Sequence, residues 1–226
     1  MKNYVITVAR GFGSGGKQIA SRVAEELGIH CYENRILTLA SQMSGLDEQL
    51  FREVNEKMRD KKVSSFLRGL PITSKPKPED RDFVSDEKLY ELQKQIIEQL
   101  ADSESCVIVG KCADWVLKDR NNVVSVYIEA PRHYCVQEIM ERMGVNEATA
   151  NKSIEQTDKY RAAYYEHYTG GNYWTNPVNY DLTLNSERVG KDNCVNMILD
   201  YLKMRFPDID FSKKNGAEKE ENNKKA

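Results

Sequence analysis

An apolar run, Tyr4-Val5-Ile6-Thr7-Val8-Ala9, passes directly into Arg10-Gly11-Phe12-Gly13-Ser14-Gly15-Gly16-Lys17, and the residues that follow have helical spacing. Strand, glycine loop, lysine and helix in that order form a phosphate cradle. Gly11, four residues, Gly16 and Lys17 satisfy the core of the P-loop pattern, in which backbone N–H groups wrap the phosphates and the lysine reaches the outer ones. Glycine within a chain is common, but this glycine pattern after this strand is not. The glycines permit positive φ and remove the Cβ atoms that would hold amides away from an anion. The helix opening near Gly16 adds unpaired N–H groups and the positive end of its dipole. Arg10, Gly11, Phe12, Gly13, Ser14, Gly15, Gly16, Lys17 and Gln18 are therefore the expected nucleotide-binding segment. Gln18 stands where the general motif carries Ser or Thr, so the hydroxyl that normally meets Mg²⁺ is absent there, and Ser14 is a candidate substitute.

The 226 residues suffice for one α/β domain with an inserted or appended helical piece. With 33 Lys and Arg against 35 Asp and Glu, the formal net charge is -2, which is not the basic footprint of a nucleic-acid binder. Free nucleotides are the more natural ligands. Cys31, Cys106, Cys112, Cys135 and Cys194 are odd in number and lack C-x-x-C spacing, so reduced thiols in a cytoplasmic protein are expected. No two of His30, His133 and His167 have metal-ligand spacing, and no residue set is assigned to a metal. Met1 leads straight into the first strand and no apolar run approaches the ~20 residues of a membrane span, so neither a leader nor a membrane partner is expected.

The apolar periodicity predicts a helix over 17–28 that stops at Gly28, and then a short strand over 29–32. Helical segments follow over 33–43 and 47–58. Residues 59–82, with Gly69, Pro71, Pro76 and Pro78, read as a mobile loop. A helix then runs from a cap at Ser85-Asp86-Glu87 to Leu100, with Leu89, Leu92, Ile96, Ile97 and Leu100 on one face. Buried parallel strands are predicted at 106–110, 123–128 and 180–184. Helices are expected after Gly110, over 131–143, from 146 to about 168, and over 191–204. Alternating strands and helices give a parallel sheet with ligands at the carboxyl ends of its strands. The candidates are then residues 10–17, 33–35, 110–114 and 129–131.

Several of these segments together resemble the cytidylate kinase-like family of bacteria and archaea. They are Ile6 to Lys17, then Val109-Gly110-Lys111-Cys112-Ala113-Asp114, then Asp158-Lys159-Tyr160-Arg161-Ala162-Ala163-Tyr164-Tyr165, then Asn179-Tyr180-Asp181-Leu182, and they run in family order. The resemblance implies a three-layer α/β/α P-loop kinase fold with a central parallel sheet and a helical lid. It implies one domain over 1–210, with a helical acceptor-side region at 33–104 and the lid at 146–178; the tail at 211–226, poor in apolar residues, is expected to be disordered. It also implies ATP and Mg²⁺, with a small nucleotide as substrate, since the related cytidylate kinase phosphorylates CMP or dCMP. Lys17, Lys159 and Arg161 would be catalytic. Lys111, Asp114, Asp158 and Arg161 would contact the acceptor, and Glu33 and Arg35 are candidates for it by their place after the second strand.

Lys111 departs from the arginine that grips the acceptor phosphate in cytidylate kinase. The change keeps charge but loses a bidentate fork. The lid needs no covalent chemistry, because phosphoryl transfer calls for cations, in-line geometry and exclusion of water. Asp158, Lys159 and Arg161 also fit a solvated helix face, and Glu33 and Arg35 a helix start. Arg142 fits either a helix-dipole partner or an adenine contact. Tyr160, Tyr164, Tyr165, Tyr168 and Tyr173 read as packing or lid-docking residues. Two other readings stay open: kinase of a different small metabolite, and a nucleotide-binding protein without catalysis.

Overall fold

Five parallel strands run in the spatial order β2-β3-β1-β4-β5. They are β1 (Val5–Arg10), β2 (His30–Tyr32), β3 (Cys106–Val109), β4 (Val123–Glu129) and β5 (Leu182–Asn185). This computed structural model describes residues 3–33, Ile36 and 86–211. Helices among them are α1 (Gly16–Leu27), α2 (Asp86–Ser103), α3 (Ala113–Val116), α4 (Arg132–Met143), α5 (Glu147–Tyr168), α6 (Ser186–Val189) and α7 (Lys191–Arg205). The helical segments expected over 33–58, Arg35, the loop 59–82 and the tail from 212 lie outside the described residues.

The chain divides into two compact units, one of residues 1–33 with 99–226 and the other of residues 34–98. In the second unit the first part of α2 buries Leu89, Ile96 and Ile97, on the face its periodicity predicts. The first unit holds the sheet. β1, β3 and β4 are buried almost end to end, as their continuous apolar runs require of strands covered on both faces. One core joins Ile6, Val8, Val107, Val109, Val124, Val126 and Ile128 to the inner faces of α1 (Ile19, Val23, Leu27) and α7 (Cys194, Ile198, Leu202). Phe211, expected at the head of the tail, packs edge-on against Tyr4 with ring centroids 5.1 Å apart. A smaller core pairs α4 with α5 through Cys135, Val136, Ile139, Ala150 and Ile154.

β1 lies between β3 and β4, although β2 is the next strand in sequence. Such a reversal of strand order opens a crevice at the carboxyl ends of the strands. The register Val8↔Val109 and Arg10↔Ile128 sets the loop after β1 beside the turn after β3 and the end of β4. The fold therefore gathers the strand-end candidates of the first unit at one edge of the sheet.

Candidate functional site

The loop after β1 is held from three sides. The amide of Gly11 continues the sheet by donating to the Ile128 carbonyl at 3.0 Å, and the amide of Phe12 donates to Asp158 Oδ1 at 2.9 Å. Ser14, fully buried, donates its hydroxyl to the Gly11 carbonyl at 2.9 Å. Its hydroxyl thus closes the loop on itself. From the far side, Ser186 Oγ donates to the Ser14 carbonyl at 2.5 Å.

The glycines are required by what surrounds them. A Cβ on Gly11 would collide with the Glu129 carboxylate, and one on Gly16 with the Arg10 side chain 2.5 Å away. Gly13, at φ +92°, would set a Cβ 2.7 Å from the Cys135 carbonyl oxygen. Gly15, at φ +76°, is overlaid by the Lys191 side chain, whose ammonium pairs with Glu138 at 2.7 Å. With the loop so packed, the amides of Gly13, Gly15, Lys17 and Gln18 have no acceptor among the described residues. Unpaired amides at the start of a helix are the chemistry an anion needs.

Lys17 is half exposed, and its ammonium lies 2.5 Å from Glu33 Oε2. Glu33 also accepts from Arg10 Nη2 at 3.2 Å. Burial pushes the Glu33 carboxyl up, but the hydrogen bond from Lys17 and the charges of Arg10 and Lys17 outweigh it and hold the group below its usual range. Glu33 is therefore a carboxylate at neutral pH. Arg10 is buried, and burial lowers its guanidinium from the ordinary value despite Glu33.

The turn after β3 is unusual. Gly110, Lys111 and Cys112 are all left-handed, with φ +74°, +62° and +53°, although only the first is glycine. Each non-glycine residue there costs about 1–2 kcal/mol. Arg10 Nη1 lies where a Gly110 Cβ would stand, so the guanidinium covers this turn. Burial lowers the Lys111 ammonium to about 8, helped by the neighbouring charges of Arg10 and Arg161.

Asp114, expected on the acceptor, is buried at the start of α3 and accepts from the Tyr165 hydroxyl at 2.8 Å. Burial raises its carboxyl to about 6. Asp158 and Arg161 turn to the loop backbone. Asp158 accepts from Phe12, while Arg161 pairs with Asp158 at 3.3 Å and donates to the Arg10 carbonyl at 2.9 Å. Burial raises the Asp158 carboxyl, with the Arg161 charge opposing it. A strand that ends in a loop leaves backbone groups needing partners, and α5 supplies them. The segment expected as a lid is thus docked on the loop through Asp158 and Arg161, and on α3 through Tyr165. Lys159 is exposed and is not brought to this cluster. Arg142 and Arg161 flank the Phe12 ring at 5.3 and 5.7 Å from its centroid.

Among the tyrosines, Tyr164 packs against Tyr160 and Tyr168 at 6.0 and 4.7 Å, whereas Tyr173 is exposed. All five cysteines are free thiols, and no described helix is long and apolar enough to cross a membrane. Among the described residues no group of three or more acidic, His or Cys side chains is placed to hold a metal. Ser186 and Lys191, which brace the loop from the β5 side, escaped the sequence reading. Their signal was only position, just beyond the last strand.

The model of the cytidylate kinase-like family matches residues 5–188. No curated protein matches the chain significantly. Among solved structures, an uncharacterized protein from Eubacterium ventriosum ATCC 27560 is 25% identical over 89% of this chain and 99% of its own, with a TM-score of 0.65. Shikimate kinase from Bacteroides thetaiotaomicron, 13% identical over 88% of this chain and 98% of its own, has a TM-score of 0.50 and shares the fold.

Proposed function

Because the chain belongs to the cytidylate kinase-like family and is built as a P-loop kinase, we propose that it transfers the γ-phosphoryl group of ATP to the phosphate of a cytidine nucleotide, CMP or dCMP. The observation that carries this reading is the set of unpartnered amides at Gly13, Gly15, Lys17 and Gln18, together with the Lys17 and Arg10 cations that meet at Glu33. Such a transfer needs little covalent help. It needs held phosphates, cations around dispersed charge, and an acceptor in line.

Each part has a residue. The loop amides hold the ATP phosphates, and Lys17 leaves Glu33 for the transferring group, which its exposure permits. An acceptor phosphate oxygen forms the new bond to the γ-phosphorus as the bond to the β-phosphate oxygen breaks and ADP departs. That oxygen carries no proton to abstract, so Glu33 acts by orienting Lys17 and Arg10 rather than as a base.

Mg²⁺ takes one or two carboxylates with substrate phosphates and keeps several waters. Glu33 fits that role, since Gln18 offers no hydroxyl and that of Ser14 is committed. When bound there, the ion would supply neutralisation of the phosphate charge. We place the reaction in the cytoplasm, consistent with five free thiols.

The docking of Asp158 and Arg161 on the loop backbone favours a second reading, a small metabolite acceptor, because those two residues are the ones a cytidine sugar and base would need. Coupled measurement of ADP release against nucleoside monophosphates and hydroxylated metabolites separates the two. Turnover is expected with CMP or dCMP. Turnover with a metabolite and no nucleotide overturns the cytidine assignment, and ATP binding without any turnover overturns catalysis.

A further inference from the structure

Lys191 is the first residue of α7, the end at which a helix dipole disfavours a cation. No side chain caps that end, while Lys203 and Arg205 occupy the last turn, where cations are favoured. A charge set against its own helix marks a residue kept for another purpose. The Lys191 side chain leaves α7 and crosses the loop after β1: its Cε lies 2.8 Å and its Nζ 3.6 Å from where a Gly15 Cβ would stand. The Gly15 amide has no acceptor among the described residues. The Lys191 side chain is 26% exposed, and two groups of α4 face its ammonium. Glu138 accepts from it at 2.7 Å, and the Tyr134 hydroxyl lies beside it, with the ring centroid 5.9 Å away. Burial lowers this ammonium, but the hydrogen bond and charge of Glu138, helped by Tyr134, outweigh it and hold the group above its ordinary value. Asp192, next along α7, is paired with Arg22 of α1. A lasting cation therefore lies across a loop whose amides are open.

We propose that Lys191 is a donor-binding residue: brought in from the β5 side of the sheet, its ammonium contacts the phosphate chain of the nucleotide held by the open loop amides. The inference rests on the reading of that loop as a phosphate cradle and is tested by binding alone. β2 and β5 are the two edges of the sheet, so the chain is met from both sides. Lys17 stands against Glu33, after β2, and Lys191 against Glu138, beyond β5. Glu138 thus does for Lys191 what Glu33 does for Lys17, holding a cation beside the cradle. An ammonium carries three donors on a flexible stem, so it can turn one to a phosphate oxygen while keeping its carboxylate partner. The ligand class is a polyphosphate, and the nucleoside is not needed for the contact.

The test is calorimetric titration of the full chain with inorganic tripolyphosphate and with a non-hydrolysable ATP analogue. Lys191→Met keeps an aliphatic stem over Gly15 and removes the charge, so both ligands should bind about tenfold more weakly. Affinities within twofold of the parent would reduce Lys191 to a brace and overturn the proposal. A loss confined to the ATP analogue would assign the residue to the nucleoside and overturn it as well. Should Lys191→Met fail to fold, amine acetylation of the intact protein, read by mass spectrometry, decides. Tripolyphosphate should slow acetylation of Lys17 and Lys191 several-fold and leave the exposed Lys203 unchanged. Protection of Lys17 without Lys191 overturns the proposal, and protection of neither overturns it together with the cradle. Protection of both without turnover on any acceptor removes the phosphoryl-transfer reading instead and leaves the role of Lys191 supported.

Discussion

The turns after β1 and β3 lie side by side at the carboxyl edge of the sheet, and they solve a positive-φ backbone in opposite ways. After β1 the left-handed positions are Gly13, where the Cys135 backbone leaves no room for a Cβ, and Gly15, overlaid by the Lys191 side chain. After β3 only Gly110 is glycine, and Lys111 and Cys112 are held left-handed with their side chains kept. The first turn gives up side chains and leaves amides open. The second tolerates backbone strain and keeps a side chain, Lys111. One turn is an amide cradle and the other a charged post, which suits donor phosphates on one side and an acceptor on the other.

The largest effect is expected at the lysine that follows the first turn. Lys17→Ala should lower turnover about 10²–10³-fold with its circular dichroism unchanged. Near-normal turnover would leave the cradle without a catalytic role.

Adding a Cβ to the first turn comes next. Gly13→Ala meets both a left-handed φ and the Cys135 carbonyl, so it should cost about 3 kcal/mol in denaturant unfolding and weaken ATP binding with it. A neutral result would mean that the loop has slack.

At the second turn, burial gives Asp114 a folded pKa of about 6 against an ordinary 3.8. The folded protein binds this proton more tightly than the unfolded chain, so the contribution is full below about 4 and is lost as pH rises through about 6. Asn keeps an acceptor for Tyr165 without charge. The melting temperature of Asp114→Asn relative to the parent should therefore rise by about 5 °C between pH 4 and pH 8. A pH-independent difference would show that the carboxyl is not desolvated.

The smallest effect is the mirror of the Gly13 change. Lys111→Gly relieves a left-handed residue and should stabilise the fold by about 0.5–1 kcal/mol while raising the KM for the acceptor. Destabilisation would mean that contacts of the lysine outweigh its backbone strain.

These residues also show where sequence is legible. Continuous apolar runs in β1, β3 and β4 have one use, burial on both faces of a parallel sheet, and the glycine loop announces itself locally. Long-range pairing leaves no such trace. Nothing near Ser14 says that its hydroxyl will bond Gly11 rather than a metal, and nothing near Arg10 says that it will cover Gly110. The docking of α5 was half legible: Ala150, Ile154, Asp158, Arg161 and Tyr165 fall at helical spacing on one face. That stripe starts apolar and ends polar, and the polar end meets the loop backbone and Asp114 rather than solvent. Charge spacing alone cannot separate those outcomes, since the half-buried Asp158 and the exposed Lys159 are adjacent.

The claim that the loop divides into braced and open amides is tested most directly by amide chemical shifts of the ¹⁵N-labelled protein titrated with an ATP analogue and Mg²⁺. The account predicts the largest shifts at Gly13, Gly15, Lys17 and Gln18, with Gly11 and Phe12, already bonded to Ile128 and Asp158, moving little. Shifts centred elsewhere, or none at these amides at saturation, would contradict it.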